Sequence, residues 1–108
     1  MVAGLTCLGT SWPIEATAAI EANGLRVLKE NCFRCHSEEK RKGGLVLTSR
    51  EMALKGGESG KAIDLAKPDE SLLFELVQEN GDPRMPPKKQ LTESEINALQ
   101  KWLKSGAK

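Results

Sequence analysis

The sequence contains no tyrosine, and its two tryptophans and two phenylalanines bring the aromatic share to only 4%. Aromatic rings usually supply much of a core's bulk. The interior here is therefore aliphatic, or is filled by a group the chain does not encode. No apolar run approaches the roughly 20 residues that cross a bilayer as a helix, so no membrane span is expected. Charge of one sign is also missing: 16 Lys and Arg against 15 Asp and Glu leave a net +1. That excludes the basic footprint of a nucleic-acid-binding domain and a charge-driven disordered tail. Histidine occurs once and cysteine three times. At 108 residues the chain is one domain by length, small enough to gain from a staple or a cofactor.

Val2 to Ile14 carries no charge, and Ala16-Thr17-Ala18 offers small residues where a signal peptidase cuts. Residues 1–18 are expected to be a signal peptide or an N-terminal arm, and 19–108 the folded domain. The leader is unusual in lacking an early Lys or Arg; Arg26 is the first basic residue. Cys7 would leave with it. Thr6 is a poor neighbour for a lipidated cysteine, which disfavours an anchor there.

Helices joined by glycine and proline loops make up the rest, and the expected class is all-α. Ile20 to Asn31 reads as a helix with Ile20, Leu25, Val27 and Leu28 as its apolar stripe. Gly24 interrupts it and points to close approach of another backbone. Lys40-Arg41-Lys42 reads as a solvated loop, and Leu45-Val46-Leu47 as an extended segment. Thr48-Ser49-Arg50-Glu51 is a capping-box pattern opening a short helix to about Lys55. A third helix is expected from Glu70 to Glu79, burying Leu72, Leu73, Leu76 and Val77. Gly81, Pro83, Pro86 and Pro87 forbid helix in the next stretch. Thr92-Glu93-Ser94-Glu95 is a second capping-box pattern. It opens a last helix with Ile96, Leu99, Trp102 and Leu103 on one face, ended by Gly106.

One motif carries the chemistry: Cys32-Phe33-Arg34-Cys35-His36, or CxxCH. Two thiols at this spacing suit addition to the two vinyl groups of a haem, and the adjacent imidazole then reaches the iron. This is the attachment pattern of c-type haem. A thioredoxin-like redox pair would need a βαβ pattern that is missing. Zinc bound by Cys7, Cys32, Cys35 and His36 would need a second spaced pair. Gly56-Gly57-Glu58-Ser59-Gly60-Lys61 fails the phosphate-loop pattern, because Lys55 and Ala62 stand where Gly and Ser or Thr are required.

The single histidine is taken by the motif, which excludes bis-histidine ligation within one chain. Met52 lies within a short amphipathic helix and reads as core packing. Met85 lies in Asp82-Pro83-Arg84-Met85-Pro86-Pro87, where prolines fix the backbone around a weak thioether ligand. Met85 is the expected second iron ligand. His/Met ligation raises the reduction potential and favours electron transfer over gas binding.

From about Gly24 to Gly106 the chain resembles a small monohaem cytochrome c domain. Gly24, Leu28 and Cys32 match the family's first helix, although Leu28 stands where an aromatic is commoner. Leu99-x-x-Trp102 matches the answering pair on the last helix, and Met85 lies where the family places its axial ligand. Lys42-Gly43-Gly44-Leu45, Ser49-Arg50-Glu51, Gly56-Gly57-Glu58-Ser59-Gly60 and Met85-Pro86-Pro87 resemble the planctomycete-type domain in particular. The resemblance implies a cytochrome c fold: three to five short helices around one covalently bound haem c, with the N- and C-terminal helices crossing. It implies Cys32 and Cys35 as thioether tethers, and His36 and Met85 as proximal and distal iron ligands. It also implies export to the periplasm. The haem would then be the missing aromatic bulk.

The expected function is a one-electron carrier, not an enzyme, passing electrons between redox partner proteins as a monomer. Lys40, Arg41, Lys42, Lys88 and Lys89 are candidates for a basic docking rim. Backbone N–H groups between Gly56 and Gly60 are candidates for contacts with the haem propionates. The alternative is a haem-based sensor or gas-binding module in which Met85 is absent from the iron or displaced. A peroxidase-like role lacks a readable acid–base pair.

Overall fold

A computed structural model describes residues 14–108 of the chain, with side chains described from Thr17. Four α-helices carry the fold: α1 (Ile14–Asn31), α2 (Arg50–Lys55), α3 (Leu72–Val77) and α4 (Glu93–Lys104). Two 3-10 turns lie between them, at Lys42–Gly44 and Pro68–Glu70. Among the described residues there is no strand, only isolated bridges between His36 and Arg41 and between Gly57 and Gly60. The all-α class expected from the sequence is the one observed.

α1 begins at Ile14 rather than Ile20. Ala16, Ala18, Ala19 and Ala22, the strongest helix former, carry it backwards through the expected cleavage region. The rest of the expected leader, with Cys7, lies outside the described residues. Among its described side chains, burial is deepest in the second half. Val27 and Leu28 sit in the core, whereas Leu25 is 43% exposed, contrary to the expected stripe.

The principal contact of the fold is between α1 and α4. A Cβ built at Gly24 falls 2.3 Å from the Cβ of Trp102, so only glycine permits this approach. Leu99, Trp102 and Leu103 are buried on the facing side of α4, and Ile96 is half-buried. Thr92 caps α4 with a complete capping box: its hydroxyl accepts from the Glu95 N–H at 3.1 Å, and a Glu95 carboxylate oxygen accepts from the Thr92 N–H at 2.9 Å. Gly106, at φ +106°, turns the chain after α4. The Arg50 guanidinium then binds the carbonyls of Ala107 and Gly106 at 3.0 and 2.9 Å, fastening the start of α2 to this end.

Two short helices differ from expectation. α2 is capped by Ser49, whose hydroxyl accepts from the Met52 N–H at 3.2 Å, and not by Thr48. α3 has only six residues and buries Leu73, Phe74 and Val77, while Leu72 and Leu76 are half-buried. A helix this short is oriented by its flanks. The Leu73 N–H donates to the Ala62 carbonyl at 2.8 Å, and the buried Ser71 hydroxyl accepts from the Asp64 N–H at 2.9 Å. Those bonds turn Phe74 into the core.

Candidate functional site

The CxxCH segment grows directly out of α1. The N–H groups of Cys32 and Phe33 donate to the Leu28 carbonyl at 2.8 and 3.0 Å. The N–H groups of Cys35 and His36 then both donate to the Cys32 carbonyl, at 3.2 and 3.0 Å, making a tight turn. The following loop folds back over it. The Lys42 N–H donates to the Cys35 carbonyl at 3.0 Å, and the Leu47 N–H to the His36 carbonyl at 2.8 Å. Asn31 closes the other side, its amide donating to the Val27 carbonyl at 2.9 Å and to Glu95 of α4 at 3.2 Å. Hydrogen bonds from both sides thus hold the backbone of the motif.

Cys32 is buried and Cys35 half-buried, and neither is in a disulfide. Burial, reinforced by the neighbouring Cys35 and by Glu95, pushes the Cys32 thiol up to about 11. Burial thus favours the neutral thiol over the thiolate at Cys32. His36 is half-buried, and its Nδ1 is out of water with no hydrogen-bond partner. Among the described residues no three Cys, His, Asp or Glu side chains group so as to hold a bare metal ion.

Met85 lies in the loop after α3. Its N–H donates to the Leu76 carbonyl at 2.7 Å, and its half-buried side chain packs against the hydrophobic cluster that contains Cys32. The fold therefore brings Met85 to the core that the first motif cysteine occupies. Met52 is half-buried on α2.

Three backbone donors of the glycine loop are already engaged. Gly57 and Gly60 exchange N–H···O bonds at 3.0 Å, and the Glu58 N–H donates to the Gly43 carbonyl at 2.7 Å. Those three donors bind the protein itself and brace the turn beside the motif. A Cβ at Gly57 would fall 2.6 Å from the Gly43 carbonyl oxygen, which explains the glycine. Lys40, Arg41, Lys42, Lys88 and Lys89 are all exposed.

Sequence reasoning passed over Arg84, whose Nε is buried with no partner. A pattern search has no signal for it, because what distinguishes it is the lack of an acceptor in the folded chain. Trp102 Nε1 is likewise buried and unpaired.

The donor set suits a covalently attached haem. Two free thiols lie on one turn, an imidazole nitrogen has no protein partner, and a thioether is held against the largely aliphatic cluster that contains Cys32. The sequence profile of a family described as planctomycete cytochrome C matches residues 32–89, more than half of the chain. The chain belongs to that family. No curated protein and no solved structure matches it. The match begins at Cys32 and ends before α4, so the Gly24–Trp102 crossing supports the cytochrome c fold independently of it. Membership gives this cytochrome a covalently bound haem c with its iron, and haem-based electron transfer as its general role. No helix among the described residues is long and apolar enough to cross a membrane.

Proposed function

We propose that this cytochrome is a periplasmic one-electron carrier with a single haem c. Cys32 and Cys35 tether the haem, and His36 and Met85 ligate its iron. The observation that carries the reading is the clamped turn at the end of α1. It presents two unoxidised thiols and an imidazole with an unpaired nitrogen, while Met85 packs on the cluster containing Cys32.

Each thiol of Cys32 and Cys35 would add its S–H across one vinyl C=C of the haem, forming a thioether with no atom lost. Bound haem supplies an iron that gains and loses one electron. The chain's own contribution is rigidity. The Lys42 and Leu47 N–H groups fix the backbone that carries Cys35 and His36, and the Met85 N–H bond to Leu76 fixes the backbone that carries the thioether. Little then has to rearrange when the charge changes. With His36 and Met85 as the iron's ligands, the thioether would raise the reduction potential and disfavour gas binding.

Export is supported by the family and by the sequence of residues 1–18. The exposed cations Lys40, Arg41, Lys42, Lys88 and Lys89 suit docking of an acidic redox partner.

The test is expression with export and haem maturation, followed by a pyridine haemochrome assay of denatured, acid-extracted protein. One haem per chain with both vinyl groups saturated is expected. Haem that extracts into organic solvent contradicts the tethering.

A further inference from the structure

Arg84 Nε is buried and meets no acceptor, and no hydrogen bond or ion pair among the described residues engages the side chain. Other arginines of the chain behave differently: Arg50 Nε donates to the Ala107 carbonyl at 3.0 Å, and Arg41 Nε to the Glu38 carbonyl at 3.3 Å. A buried donor without an acceptor costs on the order of 1–3 kcal/mol, and more when charged. Folded proteins pair such cations.

The acceptor is not supplied by the neighbouring acids. Asp82 in the same loop, Glu75 on α3 and Glu79 just after it are all exposed, and none bonds to Arg84. Arg84 directly precedes Met85 in the chain, and the Met85 side chain packs on the cluster containing Cys32. A group bound beside that cluster is the candidate source of the missing acceptor. A haem brings two propionate carboxylates, and a guanidinium fork matches a carboxylate. The N–H groups of Gly57, Glu58 and Gly60 already bind protein carbonyls.

We propose that Arg84 receives a haem propionate through its Nε–H. This rests on the haem reading above. Arg84 is then a binding residue for the cofactor's acidic edge, and its positive charge favours the reduced iron.

The test uses exported, haem-loaded protein, with loading first verified by pyridine haemochrome. In the ferrous protein, NMR of ¹⁵N-labelled arginine should show an Arg84 Nε–H that exchanges slowly with water. It should also show a nuclear Overhauser contact to propionate methylene protons. In Arg84→Gln the reduced-to-oxidised ratio at fixed ambient potential should fall roughly tenfold, the scale of one unit charge acting through a protein interior. Arg84→Lys should keep most of that ratio and lose the protected resonance. A fully loaded protein whose Arg84 Nε–H exchanges at the solvent rate, with no propionate contact, overturns the proposal without touching the haem reading. This wild-type result stands even if Arg84→Gln fails to fold. A negative haemochrome overturns the haem reading itself, and the proposal with it.

Discussion

Gly24 and Trp102 meet so closely that a Cβ on the first would lie 2.3 Å from the Cβ of the second. The obstacle is the root of a buried side chain, not a flexible tip, so α1 and α4 would have to separate to admit it. Gly24→Ala gains about 1 kcal/mol of helix propensity. Overpacking costs about 1–3 kcal/mol, and at this distance it should dominate. A net loss of stability is expected in guanidinium denaturation of the haem-loaded protein. A stabilised Gly24→Ala variant would show that the crossing is looser than this.

Glu95 ties two helix ends together, closing the capping box of α4 and accepting from Asn31 beside the motif. The Thr92 backbone hydrogen bond leads the effects that hold its carboxyl below the usual carboxylate range; partial burial opposes it, and Asn31 adds to it. A carboxyl lowered on folding stabilises the protein at neutral pH, and that gain disappears as pH falls through the folded value. The stability difference between wild type and Glu95→Gln should be largest near pH 7 and shrink towards zero in acid. Thr92→Ala should cost about 1 kcal/mol. A pH-independent difference for Glu95→Gln would contradict the assignment.

Met85 and Met52 make a paired test. Met85→Ala should lower the reduction potential and let carbon monoxide bind the reduced protein. Met52→Ala should leave both unchanged. The opposite pattern would exchange their roles. Potentiometric titration and carbon monoxide difference spectra separate the two.

Much of this was legible in the sequence, for local reasons. CxxCH uses rare residues at a fixed spacing, the Thr92–Glu95 capping box is contained in four residues, and a glycine within a helix signals close approach. Each survives without knowledge of the rest of the fold. Where orientation depends on distant partners, the pattern failed. Leu25 fits an apolar stripe yet is 43% exposed, because the partner helix meets α1 at Gly24. Phe74 is buried because Ala62 and Asp64 bond to the start of α3, and six residues are too few for a periodic face to show. The Gly57–Gly60 donors and Arg84 illustrate the same limit. Whether a donor is satisfied is decided by chain far away in sequence.

Lys40, Arg41, Lys42, Lys88 and Lys89 are exposed, and none is in an ion pair among the described residues. If they steer an acidic partner, the second-order rate of electron transfer should fall as ionic strength rises. Glutamate substitutions at Lys88 and Lys89 should lower that rate at low salt, with little change at high salt. A salt-independent rate would remove these residues from docking.

The central claim is a haem held by the Cys32–His36 turn with Met85 on the iron. It is tested most directly by absorption spectra of the exported protein, oxidised, reduced, and reduced under carbon monoxide. The account predicts a low-spin spectrum, a methionine–iron charge-transfer band in the oxidised form, and no change on adding carbon monoxide. A high-spin spectrum, or rapid carbon monoxide binding by the wild type, would take Met85 off the iron and contradict the electron-carrier reading.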